Sequence, residues 1–334
     1  MLYWLVAGLL ALGLGILLTP EQLIGLGIMD RSLLSENEMV RAVAHFEVAL
    51  VKYASLVVGF LFVLIALLWR RLNETQIFNL FVANTGSYSP VYERVISRLL
   101  TAESVVLFLI VCLSLLYLGY GDTLFSLATL RKIGREDGLL EAGSAMLLLV
   151  AAILCVVVCL SKSPRSSSRS MHAFLAILFF VMAGEEISWG QRYLGIETSE
   201  AISKINVQNE INFHNMFGYF FDHLFIFCFF VWGCVVPVLY RTSRLFRSIF
   251  RRIGLPIPGL GILCSMFIAT TMQDQILEIF GLSVQSLRPA ELREFISASA
   301  FVAIASQSIR GLVMQANAEV DSSNYNSLEK VGGA

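Results

Sequence analysis

The chain has 334 residues, of which 57% are hydrophobic and only 15% are charged. Soluble domains carry about a quarter charged residues, whereas the apolar residues of this chain come in long uncharged blocks. A run of about 18 or more apolar residues matches the hydrocarbon core of a bilayer. This pattern excludes a soluble enzyme, a disordered chain, a collagen-like fibre and a nucleic-acid-binding domain. It predicts an all-α, polytopic transmembrane helical bundle.

Eight membrane spans are predicted along the chain. They cover residues 2–18, 47–69, 103–121, 139–160, 171–190, 217–240, 257–281 and 294–312. The bundle would therefore comprise residues 1–313, followed by a polar, flexible cytoplasmic tail over residues 314–334. A capping-box pattern at residues 35–38 predicts that the second helix begins near Glu36 and stands above the outer surface before it enters the membrane.

The basic residues predict the orientation of the bundle. They cluster in the connectors after spans two, four and six, so the positive-inside rule places both termini in the cytoplasm. On this topology 14 of the 24 Lys and Arg residues are cytoplasmic, whereas 19 of the 25 acidic residues lie on the outer side. Loops need fewer acidic residues than this to stay soluble, so a polar site is expected on the outer side.

Two groups of polar residues on the outer side lie at span ends. Glu141 is one turn inside span four, deeper than the acids that favour a helix N-terminus. In span five, Glu185, Ser188, Trp189 and Arg192 would form one stripe of a continuous helix, with Glu186 facing about 100° away. An interfacial tryptophan belt with a local Glu–Arg pair is the alternative interpretation of that stripe.

Two further groups lie in the following loop and in span seven. Polar residues alternate along the loop, which predicts an extended segment with one polar side, although it could also cap span six. In span seven, two acids four residues apart would share a helix face. The members of the two groups are Asn206, Gln208, Glu210, Asn212 and His214 in the loop, and Asp274 and Glu278 in the span.

The four groups come from different parts of the chain but share one predicted depth and one side. We therefore expect a single polar cavity, open to the outer surface and walled by spans two, four, five, six and seven. Ionisable residues inside a membrane are costly to bury and mark functional sites.

Three segments resemble a known group of sequences. These are R-E-D-G-L-L-E at residues 135–141, G-E-E-I-S-W-G-Q-R at 184–192 and N-V-Q-N-E-I-N-F-H-N at 206–215. They resemble a family of uncharacterised bacterial multi-span membrane proteins over about 80 residues. The resemblance implies a multi-pass protein of the bacterial inner (cytoplasmic) membrane, and it implies no activity.

The site chemistry favours an enzyme that acts on a lipid or lipid-linked substrate at the outer leaflet. Partial burial raises the pKa of a carboxyl group towards the range useful for proton transfer. The candidate catalytic residues are Glu185, Glu186, His214 and Asp274. The candidate substrate-binding residues are Glu141, Trp189, Gln191, Arg192, Asn206, Gln208, Glu210, Asn212 and Glu278.

Other functions remain open at this point. A divalent metal is possible, and its ligands would come from His45, His214, His223 and Glu186, although no HExxH or paired-cysteine spacing supports it. The alternatives to an enzyme are a non-catalytic subunit that docks a lipid or another membrane subunit, and an ion- or proton-coupled transporter. Membrane lipids are the expected partners, and no nucleotide-binding motif is present.

The topology can be tested by cysteine labelling in a cysteine-free background. A membrane-impermeant thiol reagent added outside the cell should label a cysteine placed at Thr198 and should not label one placed at Ser167. Labelling of position 167 alone would reverse the orientation and with it the expected side of the polar cavity.

Overall fold

The structure is a computed structural model. It describes residues 2–27, 29–76, 79, 82, 90–134, 138–161, 166–204, 206, 210–213, 216, 220–273, 276–277, 280–282 and 287–332. The described chain is helical and contains no strand, apart from a single bridge between Asn206 and Met216. By clustering of contacts the chain divides into two compact units, Met1–Asn84 with Gly195–Phe225 and Thr85–Leu194 with Ile226–Ala334.

In the first half, short helices connect long apolar helices. In chain order they are α1 (Leu2–Leu17), α2 (Pro20–Gly25), α3 (Asp30–Leu33), α4 (Glu38–Glu74), α5 (Pro90–Ser97), α6 (Ala102–Leu124), α7 (Leu127–Gly134) and α8 (Leu139–Leu160).

The second half follows the same pattern, with one helix interrupted by a π-turn. Its helices are α9 (Ser166–Glu186), α10 (Gln191–Leu194), α11 (Glu200–Ser203), α12 (Phe220–Thr242), α13 (Arg244–Ile253), α14 (Leu260–Thr270) and α15 (Pro289–Gly332). The π-turn of α12 covers Val231–Val235.

Among the described residues, five helical stretches are long and apolar enough to cross a membrane, and a sixth qualifies if a helix pair bent by 62° is counted as one span. The five are Glu38–Leu72, Glu93–Leu124, Leu127–Leu160, Phe220–Thr242 and Pro289–Ala318, and the bent pair is Ser168–Glu186 with Ser188–Leu194. The shorter apolar helices Trp4–Leu17 and Leu260–Thr270 lie at the first and seventh predicted positions. Apolar helices of this number and length indicate a multi-pass membrane protein.

Four predicted boundaries are corrected by the structure. The second long helix begins at Glu38, because Asn37 and not Ser35 caps it by accepting hydrogen bonds from the backbone N–H groups of Met39 and Val40. The other three differences concern where helices end. Helix α9 ends at Glu186, whereas the fifth span was predicted to reach residue 190. Helix α14 ends at Thr270, whereas the seventh span was predicted to reach residue 281. Helix α15 continues to Gly332 through the predicted tail.

The extension of α15 through the predicted tail has a simple physical reason. No glycine or proline occurs between Gly311 and Gly332, and the polar tail contains good helix formers such as Gln315, Ala316 and Glu319. Polarity alone therefore does not end a helix that has already been nucleated inside the bundle.

In the first unit, α1 packs against α4 through glycines. A Cβ atom on Gly59 would lie 2.8 Å from the backbone nitrogen of Leu12 and 2.9 Å from the carbonyl oxygen of Gly8. Small residues let two helix backbones approach this closely, which is how apolar helices associate in the absence of a hydrophobic driving force. Trp4 of α1 then packs its ring against Phe62 and Trp69 of α4.

In the second unit, α15 is the central helix. Within its apolar stretch 67% of the residues are buried, against at most 39% in the other four stretches. Serines and alanines make this burial possible, and Gly143 of α8 makes room for the Phe295 ring, which would lie 2.8 Å from a Cβ there. Phe301 of α15 stacks with Phe179 of α9 and with Trp232 of α12.

A network at one end of the second unit fixes the basic helix α13. Tyr240 donates a hydrogen bond to Glu93 at 2.5 Å, and Arg251 donates to both Tyr240 and Glu93. Burial would lower the pKa of Arg251, but these two partners outweigh it and raise the pKa, so the guanidinium stays charged. The network joins α5, α12 and α13.

We predict that Gly59→Ala destabilises the protein, because the added methyl group must push the α1 backbone away from α4. Overpacking of this kind costs about 1–3 kcal/mol. Gly13→Ala is the matched control, because a Cβ at Gly13 meets nothing within 4 Å. Thermal unfolding of the purified protein in detergent should show a lower Tm for Gly59→Ala alone, and equal Tm values for the two variants would contradict the close packing.

Candidate functional site

The candidate site in the second unit is built around the break at the end of α9. The helix ends at Glu186, and a short 3-10 turn over Ser188–Gly190 leads into α10. Three successive residues are left-handed, with φ values of 45° at Ser188, 54° at Trp189 and 76° at Gly190. Such backbone is strained for residues other than glycine, and strain of this kind concentrates at functional sites.

The tryptophan of the break folds back onto the helix that it follows. Trp189 Nε1 donates a hydrogen bond to Glu185 Oε1 at 2.6 Å, while the indole covers Gly184. Any Cβ at Gly184 would lie 2.7 Å from the ring, so this position requires glycine. The same ring contacts Phe180 edge-on at a centroid distance of 6.3 Å.

The predicted helical stripe from Glu185 to Arg192 is therefore wrong, because the helix does not continue past Glu186. The left-handed turn redirects the chain by 62° and separates the two ends of the stripe. Glu185 and Arg192 contact other residues instead: Glu185 accepts from Trp189, and Arg192 pairs with Glu141 of α8.

The Glu141–Arg192 ion pair joins the start of α8 to the end of the break. The Glu141 side chain is 8% exposed and that of Arg192 is 20% exposed, so both charges are largely removed from solvent. A buried carboxylate needs its cation, because removal of one partner leaves an uncompensated charge. The pair fixes α10 against α8 and explains why Glu141 is tolerated inside an apolar helix.

The remaining residues of the break differ in their access to solvent. Ser188 is completely buried and Gln191 is nearly so, whereas Glu186 is half-buried and the Trp189 ring is exposed. The break therefore has a carboxyl group and an indole at its surface, and the polar side chains of Ser188 and Gln191 lie buried beneath them.

A second polar contact in this unit involves an arginine that the sequence analysis missed. Arg293 in the first turns of α15 is 5% exposed and donates a hydrogen bond to Gln273 at 3.2 Å. The available signal was an arginine next to a predicted span. Asp274 and Glu278, which the sequence places on one helix face here, lie outside the described residues, and α14 ends before them at Thr270.

In the first unit the predicted polar loop closes on itself. The Asn206 side chain donates to the backbone and side-chain oxygens of Asn212, each at 3.0 Å, and Asn212 in turn donates to Glu210 at 2.9 Å. All three side chains are buried, whereas Phe213 is exposed. An extended segment would separate residues 206 and 212 by about 20 Å, so the prediction of an extended segment is wrong. Gln208 and His214 lie outside the described residues.

The first unit also contains a Glu–His contact that the sequence analysis missed. His223 Nδ1 of α12 lies 2.8 Å from Glu47 Oε2 of α4. Glu47 is 8% exposed and stands in an apolar stretch, which is the signal that could have identified it. The sequence analysis named His45 of the same helix instead, and His45 is exposed.

The proposed metal ligands do not form a metal centre in the described part of the chain. Among those residues no group of three or more His, Cys, Asp or Glu side chains could hold an ion. His223 contacts Glu47, His45 is exposed, and His214 is not described. The prediction of one shared cavity draws on residues of both units and stays a prediction.

Comparisons with family models, with curated proteins and with solved structures find no match for this chain. The resemblance to uncharacterised bacterial membrane proteins therefore stays an expectation from the three motifs, and the function is argued from the geometry alone.

We predict that Arg192→Gln destabilises the protein by about 3–5 kcal/mol, because it leaves the Glu141 carboxylate buried without its cation. The double variant Glu141→Gln with Arg192→Gln should recover most of that loss. Arg131→Gln is the control, since Arg131 is exposed. Chemical unfolding followed by tryptophan fluorescence measures the differences, and a single variant as stable as the Arg131 control would show that the pair does not hold the break.

Proposed function

We propose that the chain is an eight-span protein of the bacterial inner membrane with both termini in the cytoplasm. Helical segments occur at all eight predicted positions, and basic residues lie on alternate connectors. Leu260–Thr270 has 11 residues, or about 16 Å of helix, which is half a membrane. It would form the helical half of a broken seventh span, as occurs where irregular backbone is shielded by protein.

We further propose that this protein is an enzyme that acts on a lipid or lipid-linked substrate at the outer leaflet. The observation that carries this proposal is the strained left-handed turn at Ser188–Gly190. The turn directly follows the carboxylates of Glu185 and Glu186, and the polar side chains of Ser188 and Gln191 are buried in it. The topology proposed above places this break at the outer surface. Substrate headgroups would reach it from the outer leaflet.

The residues of the break then divide into supporting and reacting groups. Glu185 accepts from Trp189, and Glu141 pairs with Arg192, so these carboxylates support the turn. Glu186 ends the helix in a half-buried position, where a carboxyl group can exchange a proton with substrate. Arg192 would assist with phosphate, since a guanidinium has five N–H donors and can serve a second anion besides Glu141.

One observation favours the alternative of a non-catalytic docking subunit. The contacts of Glu141 and Glu185 within the second unit are what a rigid binding surface would also need. On this alternative, the exposed Trp189 ring and the half-buried Glu186 would hold a lipid headgroup or another membrane subunit without changing it. The two functions differ in whether a bound lipid is chemically altered.

The two functions can be distinguished with the full chain in nanodiscs made from a bacterial polar lipid extract. Mass spectrometry of the lipids before and after incubation should reveal a new lipid species with the wild-type chain. Glu186→Gln should abolish it, while Glu185→Gln should lose less, because its amide oxygen still accepts from Trp189. Glu197→Gln, at an exposed position, is the control and should match wild type.

Full turnover in Glu186→Gln would contradict the proposed role of Glu186. An unchanged lipid pool with wild-type protein, together with lipid retention that depends on Glu186 and Trp189, would reject the enzyme and favour the docking subunit.

A further inference from the structure

A groove on the second unit shares no lining residue with the break after α9. Its volume is about 400 Å³, within the range of about 300–1,000 Å³ that is typical of ligand pockets. It runs between α6 and α15, and Leu147 of α8 contributes to its lining. The groove has one polar end, at Glu103, and that residue forms an ion pair with Arg310.

The two walls of the groove follow the periodicity of the helices that form them. On each wall the lining residues recur at helical spacing, so that each helix contributes one face. Glu103, Val106 and Ile110 lie on α6, and Ser299, Ala303 and Ser306 lie on α15. Small side chains on α15 opposite larger ones on α6 leave the space between the helices unfilled. Seven residues of helix make the groove about 10 Å long.

The groove opens onto the surface of the unit. Val106 at its rim is 57% exposed, whereas Ser299 and Ala303 on the opposite wall are buried. Since α6 and α15 are long enough to cross a membrane, the surface that they share faces lipid tails. An acyl chain is therefore the neighbour that can enter the groove from the side.

The polar end selects the headgroup that accompanies such a chain. Glu103 lines the groove's end and Arg310 pairs with it. Their side chains are 12% and 29% exposed, so neither charge points into bulk solvent. A carboxylate beside a guanidinium is complementary to a zwitterion: the guanidinium donates to a phosphate, and the carboxylate accepts from an ammonium group. An anionic headgroup without an amine would meet repulsion from Glu103.

We propose that this groove binds an amino-phospholipid, with its acyl chain between α6 and α15, its phosphate on Arg310 and its ammonium on Glu103. The site is separate from the proposed reaction site. Glu103 lies at the start of span three and Arg310 at the end of span eight, so the topology proposed above places the polar end of the groove at the cytoplasmic leaflet, opposite the break after α9.

The proposal is tested by native mass spectrometry of the full chain in detergent that contains equal amounts of phosphatidylethanolamine and phosphatidylglycerol. The wild-type chain should retain one phosphatidylethanolamine in preference to phosphatidylglycerol. Ala303→Leu fills the groove and should reduce that retention about tenfold or more. Ala54→Leu makes the same change at an exposed position of α4 and should retain lipid as wild type does.

The double variant Glu103→Gln with Arg310→Gln removes both charges, so that no buried charge is left alone. It should still bind a lipid but lose the preference for phosphatidylethanolamine about tenfold. If Ala303→Leu fails to fold, Ser306→Leu repeats the test at a half-buried lining position nearer the ion pair.

Several results would overturn the proposal. Equal retention of lipid in Ala303→Leu and Ala54→Leu would show that the groove is not the site. Equal retention of the two phospholipids by the wild-type chain would reject the zwitterion pairing. A second copy of the chain, present in wild type and lost in Ala303→Leu, would identify the groove as a dimer contact.

Discussion

Carboxylates on apolar helices need a hydrogen-bond donor within the chain, and this requirement organises the polar part of the structure. Glu141 of α8 forms an ion pair with Arg192, Glu103 of α6 forms one with Arg310 of α15, and Glu47 of α4 lies within hydrogen-bond distance of His223 of α12. In each case the acid and the base come from different helices. An unpaired buried charge costs several kcal/mol. A partner on another segment offsets that cost and fixes the positions of the two segments relative to each other.

The break after α9 depends on the first of these pairs. The Glu141–Arg192 contact fixes the far side of the turn, and the Trp189–Glu185 hydrogen bond fixes the near side. Between them lie three residues in the left-handed region, a conformation that persists only where the surroundings determine it. Glu186 is therefore held at a rigid helix end, and pre-organisation of that kind is what proton transfer or headgroup binding needs.

The sequence predicted the positions of the helices well because apolar length is a one-dimensional property. It could not predict where they break. The turn at Ser188 depends on the packing of the Trp189 ring against Gly184. This contact crosses the turn, so it leaves no periodic pattern in the sequence. The same limit applies to the pairing of acids with bases. Glu141 and Arg192 are 51 residues apart in the chain, and Glu47 was overlooked because its partner His223 is still further away.

A cryo-EM structure of the full chain in a lipid nanodisc tests the central claim most directly. The account predicts that the break at residues 187–190 lies at the outer edge of the nanodisc density, with headgroup density in contact with Glu186 and Trp189. A break that lies at the cytoplasmic edge, or in the middle of the hydrocarbon layer with acyl chains alone against Glu186, would contradict it.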